Sequence, residues 1–138
     1  MIELINTAVQ TVAAGQSVVY NESAVHSKCA AERHRPGSAQ VVLTLPGRYL
    51  IGFSGNIAVP TGGTVGEISL GIAQDGEVLG GSLMRVTPAA VEEYFNVSTQ
   101  HYVDVVCNCC VSVSVQNTSE QPILVDNPNI TAVRVCGI

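Results

Sequence analysis

Histidine and cysteine gather in two places in this 138-residue chain: His26-Ser27-Lys28-Cys29, with His34 further on, and Cys107-Asn108-Cys109-Cys110. Soft thiolates and imidazoles are the ligands that zinc selects. The spacing argues against a metal site. Structural zinc sites separate the cysteines of a pair by about two to four residues, whereas neighbouring side chains of an extended Cys-x-Cys-Cys leave opposite sides of the strand. The simpler expectation is a set of small free thiols packed near a hairpin tip, with a disulfide among them as the second reading. Five cysteines, Cys29, Cys107, Cys109, Cys110 and Cys136, cannot all pair within one chain. Nor do they match the even, widely spaced set of a disulfide-framed secreted domain. No metal and no cofactor is expected.

Nucleophilic catalysis finds even less to work with. The chain has no Gly-x-Ser-x-Gly elbow, and Gly52-Phe53-Ser54-Gly55 lies inside an alternating apolar run, where glycine serves close strand packing. Glu92-Glu93 is the sole adjacent carboxylate pair, and neighbours on one turn diverge. Gly62-Gly63-Thr64-Val65-Gly66 lacks the Lys-Ser/Thr of a phosphate loop and reads as a turn. The chain is therefore not expected to be an enzyme. Four Asn-x-Ser/Thr sequons, at Asn21, Asn96, Asn117 and Asn129, are what a β-rich chain of this composition produces by chance.

The six Lys and Arg residues are outnumbered by 11 Asp and Glu, for a net charge of −5. Lys28, Arg33 and Arg35 share one irregular stretch, while Arg48, Arg85 and Arg134 stand apart. A groove that tracks phosphates needs a stripe of cations, so nucleic acid is not an expected partner. The stretch from Ser27 to Ser38 is the least periodic in the chain and contains Pro36-Gly37, which marks an exposed loop. Lys28, Arg33, His34 and Arg35 are the candidate partner-binding residues, suited to an acidic patch on another protein. The alternative is a solvated connection.

The elements that must position these residues are strands. Hydrophobic residues make up 46% of the chain and charged ones only 12%, and the apolar residues come in short alternating bursts such as Val111-Ser112-Val113-Ser114-Val115. A period of two is the strand period. The spacing predicts strands over Ala8–Val12 and Ser17–Tyr20 as a hairpin, then Gln40–Leu45 and Arg48–Val59, the longest, with Tyr49, Ile51, Phe53, Ile57 and Val59 facing the core. Val65–Gln74 and Val78–Val86 flank Asp75-Gly76, a strong two-residue hairpin signal. Thr87 to Glu93 has the cap and proline of one helical turn. Tyr94–Val106 and Cys110–Gln116 follow around the Cys-Asn-Cys tip, and Ile123–Val135 closes the chain. Eight to ten such strands, with turns at roughly 8–12-residue spacing, make an all-β sandwich or jelly roll. Residues 1–138 form one expected domain, with 1–7 as a possible N-terminal arm.

The face opposite the core carries Gly52, Ser54, Ser69, Gly71, Ala73, Ser112 and Ser114, where a solvated sheet would carry Lys and Glu. The expected cover is another copy of the chain, hence an oligomer. The N-terminus has no secretory core, and no segment approaches the ~20 apolar residues of a membrane span, so synthesis in the cytoplasm and no membrane contact are expected.

The run Gly47-Arg48-Tyr49-Leu50-Ile51-Gly52-Phe53-Ser54-Gly55-Asn56-Ile57-Ala58-Val59-Pro60, with Ile130 to Val135 as an apolar closing strand, resembles the trimeric jelly rolls of the tumour necrosis factor (TNF) and complement globular-head type. More narrowly, Ile57 to Gly66 and Val86 to Ser98 resemble small virion-associated proteins of gut Firmicutes phages and prophages. The resemblance implies a homotrimeric, non-enzymatic virion component, either a capsid decoration or a short head-fibre protein, with itself and a capsid protein as partners. The absence of a Gly-x-y stalk suits a free-standing head. The alternative is a receptor- or glycan-binding adhesin domain of a tail fibre or bacterial surface protein. Against that stand the lack of Trp and the expected placement of most of the four Tyr and two Phe in the core. A jelly-roll enzyme would need a His-x-His metal set, which the sequence lacks.

Overall fold

The structure is a computed structural model that describes residues 1–26, 31–106 and 110–137. Among these, twelve strands form: β1 (Ile2–Ile5), β2 (Gln10–Val12), β3 (Glu22–His26), β4 (Glu32–Arg33), β5 (Val41–Leu43), β6 (Gly47–Ala58), β7 (Ile68–Gln74), β8 (Glu77–Val78), β9 (Met84–Val86), β10 (Phe95–Val105), β11 (Val111–Asn117) and β12 (Ile123–Cys136). They make two antiparallel sheets. The first runs β10-β6-β12-β1-β3, with β2 also on β12, and the second runs β4-β5-β11-β7-β8, with β9 also on β7. Successive long strands alternate between sheets, which is the jelly-roll arrangement. No helix among the described residues is long and apolar enough to cross a membrane.

The alternation does what its period requires. In β6, Tyr49, Ile51, Phe53 and Ile57 point inward and are buried, with Val59 just beyond the strand. They meet Val113 and Val115 of β11, and Leu70 and Ile72 of β7, in one core between the sheets. Asp75 and Gly76 take φ of 52° and 85°, the two left-handed residues of a type I′ turn, and β7 pairs with β8 across them. The Asp75 carboxylate then accepts from the Ser112 amide at 2.9 Å, tying the turn to β11.

Several expectations are corrected. Ala8–Val12 and Ser17–Tyr20 are not a hairpin: β2 pairs with β12, while Ser17 bridges Gln116 in the other sheet. Burying Val12, Val18 and Tyr20 outweighs the local turn. Within residues 1–7, read as a possible N-terminal arm, Ile2–Ile5 form β1, held between β12 and β3 with Ile2 and Leu4 buried. Residues 87–93 form no helical turn. Glu92 is left-handed (φ 57°) and its amide donates to Val59 O at 2.7 Å, a tertiary bond that overrides the local cap. The expected 78–86 strand is broken by a 3-10 turn at Gly80–Ser82. β12, at 14 residues, is longer than β6, at 12. Finally, β10 and β11 lie in different sheets, so no hairpin joins them.

The small-residue face also divides. On β7 and β11, Ser69, Gly71, Ala73 and Ser114 are already buried within the subunit. A Cβ on Gly71 would lie 2.7 Å from Val78 Cγ1 and 3.1 Å from Leu83 Cδ2. There the cover is the chain's own edge. Gly52 and Ser54 of β6, in contrast, remain half-exposed.

Candidate functional site

The basic stretch is a built surface. Arg33 stands on the short strand β4 in register with Val42 of β5, and Arg35 follows on the turn. That turn is clamped from below by Tyr20. Gly37 N donates to Tyr20 O (2.9 Å), Tyr20 N to Ser38 O (3.3 Å), and Ser38 N to Arg35 O (2.9 Å). His34 Nε2 donates to Ser38 O at 3.0 Å, which assigns the proton to Nε2 and leaves Nδ1 buried without a hydrogen-bond partner among the described residues. The Tyr20 ring meets the imidazole edge-on, with centroids 6.4 Å apart, and burial pushes the Tyr20 hydroxyl far above its usual range. Arg33, His34 and Arg35 come together with Ser38, Gln40 and Val42 around a depression of about 370 Å³ that no carboxylate lines. Lys28 lies outside the described residues.

On the inner side of β4 the Glu32 carboxylate is fully buried, with the Met1 amino group 2.6 Å from its Oε1. Among the described residues no three His, Cys, Asp or Glu side chains converge. Cys110 and Cys136 are free and exposed, not packed as expected. Cys29, Cys107 and Cys109 fall outside the described residues. The loop containing Gly62-Gly63 borders a depression of about 560 Å³, several of whose polar groups bond one another. There Gln121 accepts from Thr64 N at 2.9 Å and donates to Thr64 O at 2.6 Å.

The second surface is the outer face of the β10-β6-β12 sheet, of which the sequence reading named Gly52 and Ser54 on β6 but missed the contribution of β10. Tyr102, Leu50 and Val133 share one row across it, Gln100, Gly52 and Thr131 the next, and Ser98, Ser54 and Asn129 a third. The last two rows floor a shallow, uncharged groove of about 430 Å³. Beside it β10 pairs with β6 alone among the strands, leaving a regular eleven-residue edge with no proline, lysine or bulge. Tyr94, Phe95 and Tyr102 are exposed on or next to that strand, Tyr102 at 58%. Half of the six aromatic residues are thus outside the core. The polar alternation of Asn96, Ser98 and Gln100 along β10 was the available signal.

No protein-family model and no curated protein matches the sequence. Solved structures do match over nearly the whole chain. The globular domain of zebrafish complement 1qA protein superposes with a TM-score of 0.76 at 10% identity, covering 99% of this chain and 98% of that one. The fold is the TNF and complement-head jelly roll. Eiger TNF from S. frugiperda matches with a TM-score of 0.71 at 10% identity, over 99% and 94% of the two chains. The PRD1 vertex protein P5 matches with a TM-score of 0.50 at 18% identity, over 97% and 95%. At such identities this jelly roll shares architecture with each of them, and function must be argued from its own surfaces.

Proposed function

We propose that the protein is a non-enzymatic phage virion component, a homotrimer that decorates the capsid or forms a short head fibre. The observation that carries this reading is the β10 edge with the uncharged groove beside it. An eleven-residue strand with no second ladder partner among the described residues is a liability for a lone subunit. Covering it with a second copy removes that liability, and small residues such as Gly52 and Ser54 let the copies approach closely. Interface centres are depleted in charge and enriched in aromatics; the rows of Tyr102, Gln100 and Ser98 carry no charged side chain, and the Arg48–Asp104 pair lies in the row beyond Tyr102, at the border of this patch. Capsids offer threefold positions that a trimer can occupy. The virion assignment is supported by a fold held in common with a phage vertex protein. Light scattering of the purified chain is expected to give three subunit masses. Antibody labelling of particles from a host carrying the gene is expected to mark the heads. A monomer, or unlabelled particles, would refute the corresponding half.

The exposed Tyr94, Phe95 and Tyr102 favour a second reading, a glycan-binding adhesin domain, because carbohydrate sites use accessible aromatic faces. Label on tail tips, with retention on a host glycan lost in Tyr102→Ala, would select it.

A further inference from the structure

We propose that the groove between Arg33 and Arg35 docks an extended, acidic peptide segment of a partner protein. This deepens the docking role proposed above, and rests on that reading only for where the partner is found. The first argument is that these cations are unspent. Arg48 is held by Asp104, and Arg134 donates to Pro46 O at 2.9 and 2.5 Å. The side chains of Arg33 and Arg35 make no hydrogen bond or ion pair among the described residues, although the chain carries 11 carboxylate side chains. None of those carboxylates lines the groove.

The second argument is preorganisation. Two backbone bonds link Tyr20 to the 35–38 turn, a third closes the turn from Ser38 N to Arg35 O, and the imidazole of His34 donates to Ser38 O. Both guanidiniums are therefore mounted on a fixed base, so less ordering entropy is lost on binding. Guanidinium forks recognise carboxylates in a bidentate way. The rest of the lining is peptide-like in what it wants: Val42 offers an apolar floor, and Ser38 and Gln40 offer hydrogen-bonding groups. A long polyanion fits poorly. Two guanidiniums neutralise few phosphates, and beyond them it meets a protein of net charge −5.

The test is fluorescence anisotropy on the full chain with labelled hexaglutamate, hexaglutamine and a single-stranded hexanucleotide, at low and at moderate salt. Hexaglutamate is expected to bind, to weaken with salt, and to lose about tenfold or more in affinity in Arg33→Gln/Arg35→Gln. The two neutral-charge controls for fold are the thermal midpoint of that variant and the single change Arg35→Gln, which lies outside any strand. Equal binding by the variants, no hexaglutamate binding up to about 1 mM, or tighter binding of the oligonucleotide or hexaglutamine would each overturn the proposal. Light scattering on the same sample separates the two readings. Binding by a monomer keeps the groove and removes the trimer, and a trimer that ignores the peptide does the reverse.

Discussion

Arg48 and Asp104 face each other across neighbouring strands β6 and β10, joined by two N–H···O bonds of 2.7 and 2.8 Å. The fork-to-carboxylate geometry holds the Asp104 carboxyl below its usual range, first through the hydrogen bonds and then through the guanidinium charge, and raises Arg48 in return. A depressed carboxyl contributes stability above its unfolded pKa, about 3.9, and loses that contribution as pH falls through the lower folded value. Both side chains are about half exposed, at 51% and 42%, so solvent screens the pair and the effect is small. The thermal midpoint of Asp104→Asn is expected to lie slightly below the parent's at neutral pH and to converge with it near pH 2. A gap that widens on acidification would show that the pair is not what the substitution removes.

Phe53 is 3% exposed on the inner face of β6. Phe53→Ala removes a buried aromatic and leaves a cavity, a loss of about 3–5 kcal/mol. In denaturant titration the midpoint should fall sharply with little change in slope. A midpoint near the parent's would mean the ring is not in the core.

Asn117 is a sequon residue by sequence but a fully buried brace in the fold. Its Nδ2 donates to Val12 O (3.0 Å) and Gln121 O (2.9 Å), and its Oδ1 accepts from Ser119 N (2.9 Å). Asn117→Ala strands those backbone groups, at about 1–3 kcal/mol for a buried polar group left unpaired. Chemical denaturation should register a loss of at least that size, whereas a neutral outcome would show that water replaces the amide.

Tyr102→Glu puts a charge into the row of Tyr102, Leu50 and Val133 without touching the core. The variant is expected to fold, by circular dichroism, and to elute as a monomer. A variant that remains a trimer would move the self-association surface away from this face.

Alternation along the chain was enough to read strands, and it identified the inner face of β6 from Tyr49 to Val59 and the turn at Asp75-Gly76. Both depend on interactions within a few residues: side-chain parity in the first case, and backbone conformations that Asp and Gly tolerate in the second. The clustering of Arg33, His34 and Arg35 was legible for the same reason, since they are neighbours in sequence. Parity says which side of a strand is apolar but not which sheet the strand joins. β10 and β11 read like a hairpin yet belong to opposite layers, and Ala8–Val12 and Ser17–Tyr20 separated in the same way, because backbone pairing is settled by partners many residues away. Whether a small residue is covered or exposed was equally out of reach. Gly71 is buried beneath Val78 and Leu83, while Gly52, flanked by Thr131, stays partly exposed, although both sit in the same kind of alternating run. The rigidity of the basic turn came from Tyr20, a buried aromatic that its own sequence neighbourhood could not have linked to His34. Local chemistry made the strands, and only long-range packing decided which of their surfaces were left to bind.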